Sequence, residues 1–229
     1  MSRHRLFIAS LCAASLAWLS GASALSPQSV SVPLDSLSGW QVLSFRNIPP
    51  NVVSAGEDGL HIDVDASASP LVFPLKQPVS VQRVRVRARW TGDLALPEGA
   101  RQGESGADDA VLKLGLVESG DQTLNWFQKR IAAKWVRTLF DLAPPGSGIR
   151  QIHFLSTTRQ PELVGTSRTH PLSELLRESR FVHLEEPGVF ELDVALPEAA
   201  EVVALWVSSD GDDTRSSFSL VIESIELVE

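Results

Sequence analysis

Three aspartates lie close together in the segment Ser209–Thr214, and their carboxylates have the chemistry of a cation site. Asp210, Asp212 and Asp213 fall within four positions, between two segments that read as strands. Carboxylates this close repel each other unless a positive charge offsets them, and Ca²⁺ prefers oxygen ligands. A calcium site at these aspartates is one hypothesis. The alternative is a metal-free acidic turn, because Asp and Gly suit turns and the glutamate of an EF-hand is absent at its expected place.

Arginine alternates with apolar residues in the segment 81–90. In a β-strand, alternate side chains share one face, so the arginines form a row of about 20 Å that is long enough to bind a polyanion. These residues are Arg83, Arg85, Arg87 and Arg89. The favoured interpretation is that the row forms cross-strand ion pairs, since two later strands present Glu191, Asp193 and Glu223. The alternative is a ligand surface.

A basic helix is predicted from Leu124 to Leu142, because apolar residues recur there at helical spacing. The apolar stripe comprises Phe127, Ile131, Trp135, Leu139 and Leu142. The basic residues of the same segment are Lys129, Arg130, Lys134 and Arg137. They form either a solvated face or a docking surface for phospholipid headgroups, lipopolysaccharide or an acidic partner.

The tryptophans are candidate platforms for a sugar, because sugar rings stack on aromatic faces. Trp40, Trp90 and Trp206 lie in strand patterns and are predicted to pack in the core. Trp126 lies off the apolar stripe of the predicted helix. It is therefore the candidate ligand-binding aromatic residue.

No residue pattern in the chain matches a known reaction centre. The histidines have no metal-ligand spacing, and the segment Gly165–Thr169 lacks the closing glycine of a nucleophile elbow. Glu185 and Glu186 are adjacent, so they would face opposite sides of a strand. The sequence therefore predicts no catalytic residues and a protein that is not an enzyme.

The elements that must position these residues read mainly as strands. Apolar and polar residues alternate in segments that are separated by Gly, Pro and Asp, which is typical of an antiparallel β-sandwich. Residues 91–109 are rich in glycine and charge, and are predicted to form a long mobile loop. A second short helix is predicted from Leu172 to Arg177. The fold class is therefore all-β, with one or two helical insertions in a single domain over residues 25–229.

The first 24 residues have the pattern of a cleaved export signal. Arg3 and Arg5 precede the apolar run Leu6–Leu19, and small residues follow it up to Ala24. Cleavage would remove Cys12, the one cysteine, and would change the formal charge from −8 to −10. The remaining chain is predicted to have no transmembrane segment, no disulfide and no affinity for nucleic acid, and to be periplasmic or secreted.

Several short motifs resemble the galactose-binding-like jelly rolls. They are Gly39-Trp40, the Gly-Leu-x-Ile segment Gly59–Ile62, the run Ala66–Ser69, and the alternating segment Phe218–Leu227. Two further motifs, Ala107–Leu112 and the aspartate-rich turn before the last strand, are similar to those of an uncharacterised family of exported bacterial proteins. The resemblance implies a jelly roll and an envelope location, but no activity.

The function expected from these observations is that of a non-catalytic, exported module that binds a carbohydrate or another component of the cell envelope. The alternative is an envelope scaffold or protein-interaction protein that docks through the basic helix. No cofactor is expected apart from the calcium ion already considered.

Overall fold

A computed structural model describes residues 28–132, 134–171 and 173–229 of the chain. The predicted export signal, with Cys12, lies outside these residues. The side chains of Lys129, Lys134 and Trp135 also lie outside the described part. No helix within the described residues is both long and apolar enough to cross a membrane.

The described chain is almost entirely β-structure, as predicted. Two short helices, α1 (Trp126–Ile131) and α2 (Lys134–Asp141), interrupt the strands. The strands are β1 (Ser29–Ser31), β2 (Gln41–Val42), β3 (Val52–Gly56), β4 (Gly59–Asp65), β5 (Ala68–Asp93), β6 (Ala110–Gly120), β7 (Gly148–Thr158), β8 (Ser167–His170), β9 (Ser173–His183), β10 (Gly188–Asp210) and β11 (Ser217–Val228).

The long strands β5 and β10 pair with each other and pass through both layers of a sandwich. Their ladder changes register between Ala195 and Ala200. On one side of this break β5 pairs with β11, and the order continues from β11 through β4 to β3; we call this layer the back sheet. On the other side the order continues from β10 through β6, β7 and β9 to β8; we call this layer the front sheet. All pairs are antiparallel except β7 with β9, so the sheet is mixed.

The core lies between the two layers. The alternation predicted in β5 is confirmed, because Val84, Val86, Ala88 and Trp90 are buried while the arginines between them point to the solvent. Apolar residues of β6 such as Leu114 are buried in the same cluster. Burial of each such Val or Leu side chain contributes about 1.5–3 kcal/mol to folding.

A second apolar cluster covers the outer side of the front sheet. Val117, Ile152 and Trp206 lie on that side, and Leu139 and Phe140 of α2 pack over them. α2 therefore packs against the front sheet and covers part of its outer surface.

The single helix predicted from Leu124 to Leu142 is wrong in its extent, because the segment forms two helices with a bend at Ala132. The sequence pattern predicts Phe127 on the buried stripe, yet 62% of it is exposed. Short helices depend on tertiary packing, and the described side chains of this segment that reach an apolar cluster lie at its end, from Leu139 to Ala143.

The short helix predicted from Leu172 to Arg177 is wrong, because residues 173–177 lie in β9; Leu172 lies outside the described residues. Arg177 and Ser179 face one side of that strand, while Glu178 and Arg180 face the other. Both faces are polar here, so no alternation of apolar and polar residues marks the strand in the sequence.

Candidate functional site

A cavity of about 440 Å³ lies beside the sandwich core. Its floor is formed by β6, β7, β8 and β9, and its wall by the segment 194–200, where β10 passes from the back sheet to the front sheet. Leu155 of β7 packs in the core between the layers, and β10 contacts β9. A cavity whose lining combines apolar surface with a few convergent polar groups is a candidate ligand site.

Polar side chains on the floor of this cavity form one chain of hydrogen bonds. His153 Nε2 lies 2.9 Å from Ser179 Oγ, and Ser179 Oγ donates to Ser167 Oγ at 2.9 Å. Arg177 Nε donates to the same Ser167 oxygen at 3.2 Å. The register explains this arrangement, because His153 pairs with Arg177 across β7 and β9, and Ser167 pairs with Ser179 across β8 and β9.

A buried carboxylate completes the floor. Only 4% of the Glu118 side chain is exposed, and its two oxygens accept hydrogen bonds from Gln151 Nε2 at 2.9 and 3.0 Å. Arg150 Nε lies 3.2 Å from Glu118 Oε2 and balances its charge. Glu118 therefore holds Gln151 and Arg150 in fixed positions at the cavity.

The floor of the cavity is a positive environment. Burial, together with the positive charges of Arg177 and Arg150, lowers the pKa of His153 to about 4. The imidazole is therefore neutral at pH 7, and its ring nitrogens serve as one donor and one acceptor.

The lining of the cavity is amphipathic. Phe181, Leu196 and Pro197 contribute apolar surface next to the polar floor, and 37% of Phe181 is exposed. Fixed donors and acceptors beside an apolar surface are the groups that bind a sugar, whose hydroxyls need partners and whose ring carbons need apolar contact.

Sequence reasoning does not assign these cavity residues to a site. They come from four strands and the 194–200 segment, and no motif joins them. One signal is present: a strand-length segment with polar residues on both faces, as in β9, must place one of these faces against a partner or a ligand.

The arginine row lies on the outer side of the back sheet, away from the cavity. The predicted pairing is confirmed: Arg83 bonds Asp193 at 2.7 Å, and Arg87 bonds Glu191 at 2.7 Å and Glu223 at 2.9 Å. The other two arginines are paired as well, Arg85 with Asp193 and Glu226, and Arg89 with Asp58 and Glu223. The row is thus a neutralised and exposed face, which leaves no excess charge for a polyanion.

The predicted aromatic platform and basic surface lie on the two helices. Trp126 is 74% exposed, and the guanidinium carbon of Arg130 lies 5.6 Å from the centre of its ring. Arg137 is exposed on α2. Trp126 is not among the residues that line the cavity. Of the predicted basic residues with described side chains, Arg130 therefore lies on α1 and Arg137 on α2.

The predicted calcium ligands occupy three different environments. Asp210 is buried, and its Oδ2 lies 3.1 Å from Lys113 Nζ. Asp213 accepts a hydrogen bond from the backbone N–H of Asp108 at 3.1 Å. Burial and the nearby carboxylates of Asp109 and Asp210 raise the pKa of Asp212 to about 6. The calcium site at these aspartates stays a prediction.

Another group in the described chain has ligand atoms that converge. One ligand atom from each of Asp108, His170 and Glu178 lies within 4.8 Å of the others. However, Lys113 Nζ is 3.6 Å and Arg168 Nη2 is 3.3 Å from Asp108 Oδ1, and Arg168 Nε is 2.6 Å from Glu178 Oε2. These cations already neutralise the carboxylates, so the cluster does not fit a resident metal ion.

Comparison with known proteins gives only distant likenesses. No protein-family model and no curated protein sequence matches the chain, so the resemblance to a family of exported bacterial proteins has no support from them. Solved structures with a similar arrangement include the xylan-binding module CBM15, at 9% identity and a TM-score of 0.38, over 89% of this chain and 97% of that one.

Two further similar structures are lectin domains. The metal-free carbohydrate recognition domain of Emp46p has 12% identity and a TM-score of 0.37, over 86% of this chain and 94% of that one. The exoplasmic/lumenal domain of VIP36, in its Ca²⁺/Man-bound form, has 11% identity and a TM-score of 0.34, over 87% of this chain and 88% of that one. Scores this low transfer no ligand and no function to this chain.

Proposed function

We propose that this protein is a non-catalytic module that binds a carbohydrate in the cavity between β6, β7, β8, β9 and the 194–200 segment. The observation that carries the proposal is the polar floor, in which His153, Ser179, Ser167 and Arg177 hold one another in place beside Phe181. A ligand that meets donors and acceptors already fixed in position loses less conformational entropy on binding.

The volume supports a ligand of one or two sugar rings. A cavity of about 440 Å³ lies within the range of about 300–1,000 Å³ that holds small molecules. Sugar hydroxyls both donate and accept, and the floor offers Gln151, His153 and Ser179, which can do the same.

The floor is not arranged for catalysis. His153 bonds Ser179, but among the described residues no carboxylate is hydrogen-bonded to the other ring nitrogen to orient it as a base. Its lowered pKa also makes it a weak base. Binding without turnover is therefore the proposed activity.

The proposal is tested by isothermal titration with a panel of neutral and acidic mono- and disaccharides. An Ala199→Trp variant fills the cavity wall, and Trp126→Ala is the control on the exposed helix. We expect binding at micromolar to millimolar concentration that Ala199→Trp weakens at least tenfold and Trp126→Ala leaves unchanged. The absence of binding by any sugar at 10 mM would refute the proposal, and so would binding that is insensitive to Ala199→Trp.

We propose further that the protein is exported, on the basis of the residues that precede the described chain. N-terminal sequencing after expression with the complete leader tests this point. A mature chain that begins at or next to Leu25 is expected, whereas a chain that begins at Met1 or Ser2 contradicts it.

The alternative function, docking through the helices, is favoured by one observation. Trp126 and Phe127 are both largely exposed on α1, beside the exposed Arg130. A double variant, Arg130→Glu with Arg137→Glu, should abolish sedimentation with anionic vesicles if this surface docks to phospholipid headgroups. Equal sedimentation of the variant and the native chain would exclude that role.

A further inference from the structure

Two guanidinium groups flank His153 in the cavity, and they differ in what they bind. Arg150 Nε lies 3.2 Å from the Glu118 carboxylate, which accounts for its charge. Arg177 is held by the Ser167 hydroxyl, through its Nε. No carboxylate of the described residues lies within ion-pair distance of Arg177, so the two terminal nitrogens of its guanidinium group are available to a ligand.

Arg177 is exposed, its Nε donates one hydrogen bond, and its charge makes no ion pair within the described chain. Ser167, which holds its Nε, also accepts a hydrogen bond from Ser179, and Ser179 lies against His153. An arginine that is oriented by a hydrogen bond through its Nε presents its two terminal nitrogens as a fork, which matches the geometry of a carboxylate.

The other charged residues at the cavity do not neutralise the charge of Arg177. Glu118 is engaged by Arg150 and by Gln151, and Glu198 on the wall is exposed to solvent and makes no ion pair with a described residue. Burial first, and then the positive charges of Arg177 and Arg150, lower the pKa of His153.

We propose that the cavity selects a sugar that carries a carboxylate, that is, a uronic acid unit, and that Arg177 binds this carboxylate. The inference rests on the proposed function, since it names the class of sugar for the same cavity. The ring of the sugar would lie against the apolar wall, and its hydroxyls would meet Gln151 and Ser179.

Matched ligands separate the carboxylate from the rest of the sugar. Isothermal titration compares glucuronate and galacturonate with their methyl esters, which have the same ring without the charge. We expect each acid to bind at least tenfold more tightly than its ester, and the difference to shrink as salt is raised. Acetate alone should bind far more weakly than the acids, because it lacks the ring.

Variants of Arg177 assign the effect to one side chain. Arg177→Gln should remove the preference for the acid, and Arg177→Lys should restore only part of it because lysine has no fork. Arg87→Gln on the outer back sheet is the charge-matched control and should change nothing. Melting curves verify that all variants fold. If Arg177→Gln does not fold, Arg177→Lys still tests the role of the guanidinium group.

A second readout reports the charge directly. The charged residues that line the cavity together with His153 are Glu118, Arg150, Arg177, Arg180 and Glu198. A carboxylate bound beside Arg177 offsets the positive potential, so the pKa of His153 measured by NMR should rise with a uronate and stay constant with its ester.

The two proposals fail in different ways. If acids and esters bind equally well and Ala199→Trp weakens both, the cavity binds sugars but the selection for an acid is refuted. That selection is also refuted if acetate binds as tightly as the uronates, or if Arg177→Gln keeps the preference. If no sugar binds at all, the carbohydrate-binding function itself is refuted.

Discussion

His153 Nε2 lies 2.9 Å from Ser179 Oγ at the floor of the cavity, with the side chain of His153 buried and neutral. This contact joins β7 to β9 through their side chains, in the one parallel pair of the described sheet. It also couples the stability of the protein to pH.

The first prediction concerns this coupling. The pKa of His153 is about 4 in the folded chain and about 6.5 when unfolded, so the unfolded state takes up the proton first as the pH falls. The contribution of the neutral His153 to the free energy of unfolding is therefore fully present above pH 6.5 and is lost as the pH falls towards 4. Between pH 8 and pH 5 the loss amounts to about 2 kcal/mol.

Urea unfolding of the native chain and of His153→Gln at several pH values measures this effect. The difference between the two chains isolates His153, because Asp212, whose pKa is raised to about 6, acts in the opposite direction over the same range in both. Parallel pH profiles for the two chains would contradict the assignment.

The second prediction concerns the buried pair Lys113 and Asp210. Burial alone would lower the pKa of Lys113, but the carboxylates of Asp210, Asp108 and Glu178 raise it above its usual value. Replacement of Lys113 by methionine leaves Asp210 buried without its partner. The expected cost is about 3–5 kcal/mol of unfolding free energy.

The matched double variant, Lys113→Met with Asp210→Asn, removes both charges. It should be more stable than Lys113→Met alone, as measured by chemical denaturation. Simple additivity of the two single variants would show that the pair is not coupled.

The third prediction concerns the close packing at Gly115 on the outer side of the front sheet. A Cβ at this position would lie 2.8 Å from Ile152 Cγ2 and 2.8 Å from Phe154 Cε1. Gly115→Ala should therefore destabilise the chain by about 1–3 kcal/mol. In a Phe154→Leu background, where the ring is absent, the same substitution should cost less. An equal cost in both backgrounds would exclude the contact with Phe154 as its cause.

The fourth prediction concerns calcium. Lys113 and Arg168 already neutralise the carboxylates of Asp108 and Glu178, so this cluster should bind no calcium, and the melting temperatures of an Asp212→Asn variant with calcium and with a chelator should differ by no more than about 1 °C. Differential scanning calorimetry with 5 mM CaCl₂ or EDTA measures this. A rise of several degrees with calcium that Asp212→Asn abolishes would instead establish a site in the aspartate-rich turn.

The sandwich and its exposed charge pattern could be predicted from the sequence because they depend on local periodicity. The alternation in β5 fixes which side chains are buried, and the opposing acids Glu191 and Asp193 on β10 follow the same period. For residues of this kind, the position in the sequence predicts which face of the strand the side chain lies on.

The cavity could not be predicted, since it depends on contacts that have no local signature. Ser167 and Ser179 meet because β8 folds back on β9, and β9 itself has no apolar face to reveal it. The loop predicted to be mobile is fixed in a similar way. Gln102 is buried there and accepts hydrogen bonds from Thr158 and from the backbone of Arg159.

The two strands that run through both layers have a mechanical consequence. β5 and β10 each contribute hydrogen bonds to both sheets. One sheet therefore cannot unfold while the other stays folded unless the hydrogen bonds between β5 and β10 break. We therefore expect the two sheets to unfold in one cooperative transition, and a force applied to the end of β5 or β10 should act on both sheets.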